Sequence, residues 1–116
     1  MQDKICYVET KNRKYPICFN LNVMEEIQEK YGSLEEWGKI VQQTGEPKIK
    51  DLKVGLLAMI NEAIDIENEE SEIKISFITE KQLGRIITEI GIEEIANKIK
   101  EITIKSTKTD DEPKNE

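Results

Sequence analysis

The chain has 116 residues, 37% hydrophobic and 35% charged, which suits one domain around a single core. A net charge of -7 opposes association with nucleic acid or an anionic membrane surface. Histidine is absent, which removes the commonest general base and the commonest transition-metal ligand. Cys6 and Cys18, separated by eleven residues, do not have zinc spacing.

No basic and apolar leader with a cleavage site opens the chain, so cytoplasmic residence is the expectation and both thiols are expected to be reduced. The runs KICYVE (4–9) and KYPICF (14–19) are β-prone and flank the polar TKNR, which predicts a β-hairpin. A three-residue loop at 11–13 would set Cys6 opposite Cys18, and a two-residue loop would shift the pairing by one. Pro16 cannot donate a ladder hydrogen bond, so its strand is expected at an edge or with its donor side unused at that position. Lys11, Arg13 and Lys14 make the tip basic, but no aromatic interleaving turns it into a nucleic-acid patch.

A first helix is expected from Asn20 or Asn22, the latter with Glu25 three positions on as a capping-box pair. Val23, Ile27 and Tyr31 share one face, and Gly32 is the stop. Ser33 and Glu36 repeat the start signal for a second helix with Leu34, Trp37, Ile40 and Val41 on its apolar face, before Thr44 to Pro47 break the chain. Residues 48–65 then form the longest helical pattern. Ile49, Leu52, Leu56, Ile60 and Ile64 make a stripe that Leu57, Met59 and Ala63 widen, as expected of a central core helix. Its apolar run, 54–60, is far shorter than the roughly 18 residues of a membrane span.

The acidic stretch 66–76 has neither the glycine nor the carboxylate spacing of a calcium loop and reads as a solvated connection. Asp65, Glu67, Glu69 and Glu70 could in principle hold a metal for phosphoryl chemistry, yet no basic substrate groove accompanies them. Thr79 and Gln82 form a capping box, and Ile78 and Leu83 a hydrophobic staple. The helix they open carries Leu83, Ile86, Ile87 and Ile90 to the stop at Gly91. Ile92, Ile95, Ile99 and Ile102 make a narrow seam on a last helix, and the polar residues 105–116 read as a disordered tail. The expected fold is thus α+β, mostly α, with an N-terminal β-hairpin followed by about five helices in one compact domain over 1–104. Trp37 and the Ile95, Ile99, Ile102 seam are the candidate partner contacts, with burial in the core as the competing role.

The order of elements, with the segments KYPICFNLNVMEEIQEKYGSLEEW (14–37), VGLLAMINEA (54–63) and ITEKQLGRII (78–87), resembles the tail assembly chaperones of long-tailed phages and prophages of Gram-positive bacteria. The resemblance implies a non-enzymatic factor without cofactor or metal. It would bind the tape measure protein, help recruit tail tube protein, act in the host cytoplasm and leave before the virion is complete. It also implies a short form made beside a frameshifted longer one, and Pro113, Lys114 and Asn115 could be encoded by an adenine-rich slippery sequence. Helix-in-groove recognition is the expected mode. Self-association through an exposed hairpin edge stays open. The alternatives are a small regulatory adaptor, antitoxin-like or for host takeover, and a connector retained in the virion.

Overall fold

A computed structural model describes residues 5–41 and 48–111, with side chains through 103. The elements in chain order are β1 (Cys6–Glu9), β2 (Lys14–Ile17), α1 (Leu21–Tyr31), α2 (Leu34–Val41), α3 (Ile49–Glu70), α4 (Glu80–Ile90) and α5 (Ile92–Asp111). A two-stranded antiparallel hairpin followed by five helices is the α+β, mostly α arrangement expected. The break expected over Thr44 to Pro47, Lys4 of the first strand and the extreme tail 112–116 lie outside the described residues.

In the hairpin, Cys6 pairs with Ile17, Tyr7 with Pro16, Val8 with Tyr15 and Glu9 with Lys14. This is the register of the shorter loop, so Cys6 does not face Cys18, and neither cysteine is in a disulfide. The Thr10 amide donates to the Arg13 carbonyl at 2.8 Å. Pairs alternate along an antiparallel ladder, so Thr10/Arg13, Val8/Tyr15 and Cys6/Ile17 are the hydrogen-bonded ones. Tyr7 and Pro16 therefore meet at a non-bonded pair, where a missing N–H costs nothing. The tip is docked rather than only solvated. The Lys11 amide donates to the Glu89 carboxylate of α4 at 2.6 Å, while Arg13 and Lys14 lie over the rings of Tyr15 and Tyr7.

Helix α3 is the axis of the domain, with β2, α1, α2 and α4 packed around it. Leu52, Leu56, Met59, Ile60 and Ile64 are buried there, against Ile17, Val23, Ile27 and Leu83 in one core cluster, and Ala63 is buried as well. Ile49, expected on the buried stripe, stands in the first turn and is 43% exposed, at the edge of a cleft it shares with Ile87 and Ile92. The helix also continues past Asp65 to Glu70, where a solvated connection was expected. Nothing in Ile66–Glu70 breaks a helix, and Glu67 and Asn68 find partners outside it.

The caps follow local chemistry with one exchange of roles. Asn20, not Asn22, caps α1, its Oδ1 accepting from the Val23 amide at 3.1 Å. Ser33 accepts from the Glu36 amide at 3.1 Å. Thr79 and Gln82 form the expected reciprocal box. Gly91, at φ +107°, closes α4 through its amide and starts α5 through its carbonyl, a conformation that favours glycine. Helix α5 extends through 105–111, which corrects the disordered tail expected there. The polar residues of that stretch include no glycine or proline before Pro113, so nothing in the local backbone stops the helix earlier.

Candidate partner-binding groove

The four residues singled out as partner contacts are all interior. Trp37, Ile95, Ile99 and Ile102 are 3%, 1%, 3% and 3% exposed and belong to the core cluster, so of the two roles open to them in the sequence they take the core one and not that of an exposed seam. Trp37 lies flat on Gly55 of α3, where a Cβ would come within 2.1 Å of its ring, and its Nε1 donates to the Asp51 carbonyl at 3.0 Å. The Tyr31 hydroxyl donates to the Asp51 carboxylate at 2.6 Å. Burial and that carboxylate push the Tyr31 phenol up to about 12. Asp51 thereby ties both α1 and α2 to the start of α3.

The open surface lies along α3 beside this contact, on the flank that α1 borders. Val54, Leu57, Ala58 and Asn61 stand at positions i, i+3, i+4 and i+7 of one helical face between Lys50 and Asp65, giving a floor about 22 Å long at 1.5 Å per residue. Val54 and Leu57 are only half-buried. One wall is α1, antiparallel to α3. Its Asn22 stands at the Glu62 end, as Asn20 does, with both side-chain amides donating to Glu62 Oε2 at 2.9 Å; its Lys30 stands at the Lys50 end. Glu62 also supplies the negative charge that the first turn of α1 lacks. The other wall is Phe77 and Glu80, with Phe77 56% exposed.

That second wall is held by asparagines. Asn61 accepts from the Ile78 amide at 3.0 Å and donates to its carbonyl at 3.2 Å. Two turns later Asn68 does the same for Ile75, at 2.8 and 2.9 Å. Each side-chain amide offers the backbone the donor and acceptor that a neighbouring strand would offer. Lys74 folds back to donate to the carbonyls of Asn68 and Ser71, offsetting a last helical turn with no basic residue of its own. The segment 71–79 is therefore a strap held along α3, bent at Glu72 and Ile73, that lies in no sheet.

The groove has an apolar floor and charged ends. Lys30, Lys50 and Lys53 gather at one end, with Lys53 3.8 Å from Glu80; Glu62 and Asp65 mark the other. Among the described residues no three metal-ligating side chains come together, and no helix is long and apolar enough to cross a membrane. Neither Phe77 nor the two asparagines were singled out in the sequence. Their signals were the period-two alternation of EIKISFI (72–78) and the seven-residue spacing of Asn61 and Asn68. Comparison with protein-family models, curated proteins and solved structures finds no match for this chain.

Proposed function

We propose that the chain is a non-enzymatic assembly chaperone of a long-tailed phage or prophage that seats a helical segment of the tape measure protein in the α3 groove. The observation that carries this reading is the open stripe of Val54 and Leu57, with buried Ala58 beneath, between α1 and Phe77, because an amphipathic helix is the ligand that fits such a trough. The segment resemblance supplies the phage context. Charge sets the orientation. The C-terminal end of a partner helix is favoured over Lys30 and Lys50, its N-terminal end over Glu62 and Asp65, so the guest runs antiparallel to α3. Acting in the host cytoplasm, the chaperone shields the tape measure protein until tail tube protein takes its place, and then leaves.

The test is co-expression with the tape measure protein of the same gene cluster, followed by a pull-down and a solubility comparison. A soluble complex is expected, lost on Leu57→Asp or Phe77→Asp with the helical spectrum of the chaperone unchanged. Tape measure protein equally insoluble with and without this chain overturns the reading and favours a regulatory adaptor. Retention of the chain in purified particles points instead to a virion connector.

A further inference from the structure

The residues that α3 gives to the groove fall in two rows, each advancing four positions at a step. One row is Lys50, Val54, Ala58 and Glu62, and the other is Lys53, Leu57, Asn61 and Asp65. On a helix such rows are neighbouring ridges, and the furrow between them is divided into holes ringed by residues i, i+3, i+4 and i+7. Lys50, Lys53, Val54 and Leu57 ring the first hole. Val54, Leu57, Ala58 and Asn61 ring the second, and Ala58, Asn61, Glu62 and Asp65 the third. Both rows thus pass from a lysine through an aliphatic residue to a carboxylate. Glu80 is 3.8 Å from Lys53, and Glu26 stands at mid-length on the α1 rim. The contrast of charge therefore rests on Lys30 and Lys50 at one end against Glu62 and Asp65 at the other.

We propose that the groove selects its guest helix by three residues at four-residue steps: a basic, then a large aliphatic, then an acidic side chain from N- to C-terminus. This selectivity rests on the seating of a helix in the groove and defines which helices are taken. A guest's own i, i+4, i+8 row advances at the pitch of the holes, and row-into-furrow packing of this kind is the commonest between helices. In a guest antiparallel to α3, the basic residue meets the hole with Glu62 and Asp65, and the acidic residue meets the hole with Lys50. The aliphatic residue enters the central hole, where Ala58 recesses the floor. A floor of about 22 Å takes about four turns, so the triad lies inside the guest's end turns and its charges act little on the guest's own dipole. None of the five described helices of this chain carries basic, aliphatic and acidic residues at those steps, so a second copy does not supply the guest.

The test is capture by the full chain of overlapping peptides, about 20 residues long, that tile the tape measure protein of the same gene cluster. Captured peptides are expected to carry the triad, and alanine in place of its aliphatic residue should weaken binding about tenfold or more. Exchanging the basic and acidic residues leaves the guest mismatched or turned round against its dipole, and should weaken binding about tenfold. Lys50→Glu combined with Asp65→Lys should restore most of that loss with the helical spectrum unchanged, since both side chains are exposed. Capture through residues at other spacings, binding within about twofold after the exchange, or no rescue by the swapped variant overturns the triad and leaves the helix seat standing. Capture of no peptide, or capture untouched by Leu57→Asp, overturns the seat and the triad with it.

Discussion

The two ends of α3 are tied to neighbouring chain by the same device and to opposite effect. At the start, Trp37 and Tyr31 bond to Asp51, and the indole is pressed onto Gly55 out of water. Towards the other end, Asn61 and Asn68 hold the strap just as specifically, yet Ile73, Ile75 and Phe77 are left outside. A polar clamp fixes where the backbone runs. Whether the attached apolar side chains go to the core or to the surface depends on what lies beyond the clamp, so the strap is where a partner can gain apolar contact without unfolding the domain.

If that contrast is right, damage at the first end should be severe. Trp37→Ala removes a buried ring and leaves the Asp51 contact vacant, with an expected loss of about 3–5 kcal/mol in urea unfolding. Gly55→Ala approaches the same contact from the other side. Although alanine favours helix by about 1 kcal/mol, its Cβ cannot coexist with Trp37 as placed, and a net loss of about 1–3 kcal/mol is expected in the same measurement.

The clamps should grade with burial. Asn61→Ala strands the backbone groups of Ile78, which is 6% exposed, and should cost about 1–3 kcal/mol. Asn68→Ala exposes groups that water can reach, so it should cost less than about 1 kcal/mol while speeding amide exchange at Ile75. A reversed order would mean that the strap is anchored from its far end.

Tyr31 offers a titration of the first end. Its phenol is raised from 10.0 to about 12 in the folded state, so the fold favours the protonated form. The contribution is complete below pH 10 and is lost as pH rises through 12. Partial solvation keeps it modest. Melting temperature should fall between those values more steeply in the parent than in Tyr31→Phe, and identical slopes would remove the Asp51 bond as its cause. The smallest effect is expected at Ile73. Ile73→Ser should leave unfolding within about 0.5 kcal/mol, because the side chain is 79% exposed, and a larger loss would show that it packs in solution.

Much of this was local and therefore readable. Thr79 with Gln82, Ser33 with Glu36, and the glycines at 32 and 91 act through hydrogen bonds and dihedral preferences within a few residues, so these starts and stops were evident from residue type alone, whereas the ends of α3 and α5, which no such signal marks, were not. Periodicity likewise marked α3 as central and Leu52, Leu56, Ile60 and Ile64 as core. The hairpin was evident but its register was not, since one-residue alternatives differ only in how the tip and Pro16 are accommodated.

What tertiary structure alone decided was the use of each apolar face. Trp37 and the isoleucines at 95, 99 and 102 have a spacing that suits core or interface and became core; Ile73 and Ile75, within the stretch 66–76 read as connection, and Phe77 just beyond it became surface. Sequence period places side chains on a common face, whereas burial depends on whether another element covers that face. Here the clamps depend on residues seven and seventeen positions apart, Asn68 with Ile75 and Asn61 with Ile78, joined only once α3 is formed and the chain has turned back along it.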